Sequence, residues 1–233
     1  MSLLLLPNLL DPSADSLLLP AATGAALRTL SGLIAENEKE ARRFLFHFLT
    51  REEVGALPIV SLNEHTASGQ LASLLVPMEK GEAWGLISDR GLPCVSDPGA
   101  NLVSLARQRG ISVRSLGGTS SLLLALQLSG FSGERFTYHG YLPREEPSLC
   151  QALRQIEKEC VGRTQMWIEA PYRTAKMVEI VLRTLSSNTL FCVAAELTGQ
   201  NERVIVQSVA EWKRKTPSFG KEAALFLVFK AGD

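Results

Sequence analysis

The chain has 233 residues, 45% of them hydrophobic, enough to bury one large core or two smaller ones in a soluble globular protein. Lysine plus arginine equals aspartate plus glutamate at 24 each, so no global field draws the protein to nucleic acid, and any polyanion site must be a local basic patch. The four cysteines, at 94, 150, 160 and 192, form no C-x-x-C pair and match no histidine spacing, which argues against a metal site and for reduced, mostly buried thiols in a cytoplasmic protein.

The run Leu3 to Leu6 lacks a basic leader and is cut by Pro7. It is too short for a signal peptide or a membrane span and reads as the first core strand. A helix follows from near Pro20, then a strand at Leu33 to Ala35 and a helix from about Glu38 to Leu49. In that helix Ala41, Phe44, Leu45, Phe48 and Leu49 form one apolar stripe, which turns Arg42 and Arg43 away from the core. Pro58 to Leu62 is a further strand and runs into Asn63-Glu64-His65-Thr66, ahead of a helix ending near Met78 and Glu79. Asn63 and Thr66 are good caps there.

Ala83 to Ile87 is short and apolar and reads as a buried strand. It opens into Ser88-Asp89-Arg90-Gly91-Leu92-Pro93-Cys94-Val95-Ser96-Asp97-Pro98-Gly99, a glycine- and proline-rich loop with two aspartates. Asp97 can cap a helix whose first residue is Pro98 and whose stop is Gly110. Ile111 to Leu116 is the next strand, and it opens into Gly117-Gly118-Thr119-Ser120 before a helix from Ser121 to Ser129. Strand, helix, strand, helix at this spacing implies parallel strands joined by right-handed crossovers. Both polar loops then emerge at the carboxyl edge of one sheet, where open α/β sheets bind ligands. Free N–H groups at the two helix starts favour polar or anionic ligand atoms, and Asp89 can accept from a hydroxyl or pair with a cation.

After Gly130 the pattern changes, through Phe136 to Pro143 and a helix near Ser148 to Glu159. A strand at Thr164 to Ile168, a helix at Arg173 to Leu185, and strands at Leu190 to Ala194, Arg203 to Val206 and Ala224 to Phe229 follow. The fold expected is α/β in two domains, 1–135 with a mostly parallel sheet covered on both faces, and 136–233 with a mixed sheet, with a ligand cleft between them. G-x-G-x-x-G, P-loop, H-E-x-x-H and G-x-S-x-G motifs are all absent, which removes support for nucleotide hydrolysis, zinc proteolysis and α/β-hydrolase chemistry.

The segment Ser88 to Gly99 resembles the S-D-A-G-T-P-L-I-S-D-P-G signature of the ribosomal RNA small subunit methyltransferase I branch of the tetrapyrrole methylase family. An ordered set of weaker matches accompanies it: Ala35-Glu36-Asn37 with Ala41 to Leu45, Asn63-Glu64-His65, Gly118-Thr119-Ser120 for G-P-S, and Gly140 to Pro143 for G-F-L-P. In the second half Glu169 to Arg173 resembles E-S-P-H-R, Glu196-Leu197-Thr198 the family's E-L-T, and Gly220-Lys221-Glu222 its K-G-E turn. The resemblance implies a homodimeric methyltransferase that binds S-adenosylmethionine against Ser88, Asp89, Arg90, Gly91, Pro93, Val95, Thr119, Ser120, Glu169 and Ala170. Three stretches depart from the family. T-P-I-G-N-L-G-D is reduced to Pro7-Asn8-Leu9-Leu10-Asp11, E-D-T-R becomes Glu36-Asn37-Glu38-Lys39, and R-E-L-T-K becomes Ala195-Glu196-Leu197-Thr198-Gly199.

Methyl transfer from a sulfonium is mainly in-line positioning with exclusion of water, although a ribose hydroxyl acceptor also needs a base. Glu36, Glu64, His65, Glu169 and Glu196 are the candidates. A ribosomal RNA acceptor, with the ribose 2′-hydroxyl of a cytidine as leading target, needs a basic rim, for which Arg42, Arg43, Arg51, Arg144, Arg173 and Arg203 are available. A tetrapyrrole or other small-molecule acceptor needs instead a broad apolar cleft. The altered N-terminal loop also fits a protein that binds S-adenosylmethionine or RNA without catalysis.

Overall fold

A computed structural model describes residues 2–63 and 65–232. The chain forms two compact units, residues 1–120 and 121–233.

The first unit contains β1 (Ser2–Leu6), α1 (Thr23–Leu27), β2 (Gly32–Ala35), α2 (Glu38–Leu45), α3 (Arg51–Ala56), β3 (Ile59–Ser61), α4 (Ser68–Glu79), β4 (Ala83–Ile87), α5 (Gly99–Gln108) and β5 (Ser112–Ser115). All its strand pairs are parallel, in the order β3-β2-β4-β1-β5. Strand side chains alternate between faces, and the core divides accordingly. Leu6, Leu33, Ala35 and Ile87 pack with α1, α2 and α3 on one face. Leu3, Ile34, Trp84 and Leu86 pack with α4 and α5 on the other.

The helix expected over Glu38 to Leu49 stops at Leu45 and turns into a second one, α3. Thr50 accepts from the Glu53 N–H while the Glu53 carboxylate accepts from the Thr50 N–H, and this reciprocal cap starts α3 in a new direction. The apolar stripe survives the break, with Ala41, Phe44, Leu45 and Leu49 all buried.

The second unit contains α6 (Ser121–Ser129), β6 (Phe136–Tyr141), α7 (Glu146–Glu159), β7 (Thr164–Glu169), α8 (Thr174–Thr184), β8 (Leu190–Ala195), β9 (Arg203–Ser208), α9 (Val209–Arg214) and β10 (Ala224–Phe229). Its sheet runs β6-β7-β10-β8-β9. Only the β6–β7 pair is parallel. Trp167, Phe191 and Phe226 stack near-parallel in its core, with ring centroids 5.8–6.4 Å apart. The division of the chain falls before α6 and not after it, because α6 packs on β8, β9 and β10 and buries Ala125 and Leu126 there.

Candidate active site

β1 and β4 are neighbours in the middle of the first sheet, yet the chain leaves them toward opposite faces, β1 into α1 and β4 into α5. Such a switch leaves a crevice outside the carboxyl ends of the strands. Three loops meet at this edge. Asn8, just past β1, is buried, and its amide donates to the carbonyls of Ser88 and Asp89 at 2.9 and 3.0 Å. The Asn8 N–H donates to the Gly91 carbonyl at 2.7 Å, and the Asn8 side-chain oxygen accepts from Leu9 at 2.8 Å. The shortened N-terminal loop is thus fastened to the loop after β4.

The loop after β2 holds the same segment from the other side. Glu36 accepts from the Asp89 N–H at 2.9 Å, and the Asn37 N–H in return bonds the Asp89 carboxylate. Further along, Cys94 and Ser96 both adopt left-handed backbone, at φ 70° and 66°, a conformation that costs a non-glycine residue about 1–2 kcal/mol. Asp97 offsets this by accepting from the N–H groups of Cys94 and Gly99, each at 2.8 Å. Pro98 is the cap residue and α5 begins at Gly99, one residue later than the sequence suggests. The third loop closes in through Gly118, at φ 148°, where a Cβ would stand 2.2 Å from the Cβ of Pro7.

Burial pushes the Glu36, Asp89 and Asp97 carboxyls above the usual carboxylate range. For Glu36 the charges of Asp97 and Asp89 add to the effect, and for Asp89 that of Glu40 does; hydrogen bonds from the backbone draw all three part of the way back. Burial, and then the charge of Asp97, lifts the Cys94 thiol to about 11, so it is no nucleophile at neutral pH. An edge with four converging carboxylates suits a cationic ligand, alongside the polar or anionic atoms that the helix starts favour. Thr119 and Ser120 stand half-buried beside it, with hydroxyls that meet no partner among the described residues.

Of the residues singled out from the sequence, the first unit brings together Glu36, Ser88, Asp89, Arg90, Gly91, Pro93, Val95, Thr119 and Ser120 at one edge. Ser88 and Pro93 are buried there, and Val95 is 44% exposed. His65 lies in an exposed loop, its N–H donating to the Asn63 side chain at 3.0 Å. Glu64 falls outside the described residues. Asn8, Asn37 and Glu40 were not singled out. Asn8 carried a signal in being the first polar residue past an apolar strand.

In the second unit, Glu169 ends β7 and is 7% exposed. Both its oxygens are engaged, one by the Ala170 N–H at 2.8 Å and the other by Arg173 at 2.9 Å. Arg173 also donates to the Arg144 carbonyl at 3.2 Å. Glu196, at φ 51°, accepts from the Ala223 N–H at 2.6 Å. Arg203 pairs with Glu222 at 2.6 Å and lies 4.2 Å over the Phe219 ring. Arg173 and Arg203, expected in a basic rim, are therefore spent on holding loops. Among the described residues no group of histidine, cysteine and carboxylate side chains is placed to hold a metal ion. Among the described residues no helix is long and apolar enough to cross a membrane.

No family model matches the chain. It is similar to curated proteins named ribosomal RNA small subunit methyltransferase I. The relative from Xylella fastidiosa is 33% identical over 184 residues, 79% of this chain and 65% of that protein. The relative from Escherichia coli O157:H7 is 30% identical over 205 residues, 87% of this chain and 69% of that protein. That from Thermotoga maritima is 27% identical over 195 residues, 82% and 84% of the two chains. This chain thus spans less than two thirds of the Xylella fastidiosa protein. Among solved structures, the methyltransferase CobJ aligns over 98% of this chain and 93% of its own, with a TM-score of 0.65 at 16% identity. Diphthine synthase aligns over 98% and 90%, with a TM-score of 0.66 at 16% identity. Both share the fold.

Proposed function

We propose, from the premise that this chain belongs to the ribosomal RNA small subunit methyltransferase I branch of the tetrapyrrole methylases, that it methylates a ribose 2′-hydroxyl, that of a cytidine, in small-subunit ribosomal RNA. The methyl donor is S-adenosylmethionine, which supplies an electrophilic methyl on a cationic sulfur. The observation that carries the reading is the edge of the first sheet, where the loops after β1, β2 and β4 are bonded to one another and Glu36, Glu40, Asp89 and Asp97 converge. Ser88, Asp89, Arg90, Gly91, Pro93, Val95, Thr119 and Ser120, all of the first unit, hold the donor. The carboxylates draw the sulfonium in, and the fastened loops fix its orientation and exclude water.

Among the candidate bases, Glu169 and Glu196 are bound into their own loops and act as positioning residues. Glu36 has one oxygen on the Asp89 N–H and a second without a partner among the described residues, and its raised pKa brings its basicity nearer to neutral pH. It is the group to take the proton of the attacking hydroxyl. The same reading makes the protein a cytoplasmic homodimer.

Calorimetric titration with S-adenosylmethionine and S-adenosylhomocysteine tests the cofactor site. Micromolar binding that falls at least tenfold in Asp89→Ala is expected, with preference for the charged donor shrinking from pH 8 to pH 5 as the raised carboxyls take up protons. Undiminished affinity in Asp89→Ala sinks the placement. Methyl transfer from labelled donor to unmodified small ribosomal subunits then tests the acceptor. Glu36→Gln should lose about 100-fold in rate, far more than it loses in cofactor affinity. Transfer to a tetrapyrrole instead moves the protein to the small-molecule reading, and cofactor binding with no acceptor leaves a binding protein.

A further inference from the structure

We infer that the outer face of α7 is a docking groove for the phosphate backbone of RNA, a deduction that rests on the ribosomal RNA reading above. Leu149, Leu153 and Ile156 turn one side of α7 into the core of the second unit. The opposite side lines a hollow of about 560 Å³ with Ser148, Gln151, Arg154, Gln155 and Lys158. Ser148, Gln151, Gln155 and Lys158 recur at helical spacing and so stand in one row along about 15 Å of helix. That length suits several consecutive phosphates better than one small anion.

Every polar side chain in the lining can donate a hydrogen bond, and the two charges are both positive. Two of the three carboxylates of α7, Glu146 and Glu157, are occupied away from the hollow. Glu146 pairs with Arg183 and Lys176, and Glu157 accepts from Ser186 and Thr189 and faces Lys230 at 3.4 Å. Glu159 takes the side-chain N–H of Gln155 at 2.5 Å. Among the described residues neither Arg154 nor Lys158 has a carboxylate partner. In a chain of zero net charge, where attraction to a polyanion has to be local, two unpaired cations among the donors of one helix face are a fitting basis for it.

The groove also leads to a loop already described. Pro143 lines its near end, and the carbonyl of the next residue, Arg144, holds the Arg173 guanidinium that clamps Glu169. Backbone held along α7 is thereby delivered beside the Glu169–Arg173 turn. Phosphate contacts of this kind set the register of a strand and leave the choice of base to other groups.

The test is fluorescence anisotropy of the intact protein with a labelled single-stranded fragment of small-subunit ribosomal RNA, across a series of potassium chloride concentrations. The double variant Arg154→Gln/Lys158→Gln is compared with wild type and with Lys213→Gln/Lys215→Gln, which removes the same charge from the exposed surface at α9. The groove variant should lose roughly tenfold in RNA affinity at 0.1 M salt, and the slope of log K against log salt should fall by about 1.4, two phosphates at ~0.7 each. S-adenosylhomocysteine affinity and the melting temperature should not move, and the α9 variant should bind RNA as wild type does. Equal RNA binding and slope in the groove variant, or the same loss in the α9 variant, overturns the groove and leaves the ribosomal RNA reading standing. Wild-type protein that binds S-adenosylhomocysteine but no RNA at any salt overturns that reading itself.

Discussion

Gly118 and Glu36 show how much of the crevice hangs on single residues. Gly118 combines a left-handed φ of 148° with a backbone that passes the Pro7 ring too closely for any side chain. Gly118→Ala is expected to lose about 2–3 kcal/mol of stability in urea denaturation, from strain and overpacking together. Gly117→Ala, at φ 71° with open space around it, should lose only about 1 kcal/mol. Glu36 presents the opposite case. Its pKa is raised on folding, so the stability it contributes is complete at low pH, where it is protonated in both states, and is lost as pH rises through the folded value. Glu36→Gln keeps an acceptor for the Asp89 N–H without the charge. Its melting temperature should match wild type at pH 4 and exceed it at pH 7. An equal or lower melting temperature at pH 7 would mean that the charge is not under strain. A stabilised variant with lost turnover is the pattern of a group kept for chemistry at the expense of stability.

At the scale of elements, α3 and α9 are both six residues long, and both start with a reciprocal cap, Thr50 with Glu53 and Ser208 with Glu211. Thr50→Ala and Ser208→Ala should each cost about 1 kcal/mol in chemical denaturation. The sequence carried both signals as S/T-x-x-E. Each helix is too short for periodicity to register, so neither was expected, and the helix expected over Glu38 to Leu49 ends before α3 begins. The long parallel pattern was easier to read, because Leu3 to Leu6, Leu33 to Ala35 and Ala83 to Ile87 are apolar runs bounded by turn residues, and they do pair in parallel. The loop from Ser88 to Gly99 stood out for the same reason, through its glycines and prolines. What holds that loop was not legible, because Glu36 meets Asp89 across 53 positions and Asn8 meets Ser88 across 80, and such partners are created by strand order alone.

For the whole molecule, no core cluster among the described residues spans both halves of the chain: two lie in the first unit and one in the second. Leu45 belongs to the first and Leu153 to the second, each with no exposed surface. Leu45→Ala and Leu153→Ala should each cost about 2–5 kcal/mol, and the double variant should show their sum to within about 0.5 kcal/mol, since the two side chains share no partner. A large coupling energy in that cycle would show that the two sites interact. The order β3-β2-β4-β1-β5 also bears on how the protein is made. β1 leaves the ribosome long before β4 and β5, the two strands that flank it, and at about 5–20 residues per second the delay is roughly 5–20 s. During synthesis, then, the oldest strand of the sheet waits with both edges bare, and nascent chains stalled between β1 and β5 are where trigger-type chaperones should be found most often on this protein.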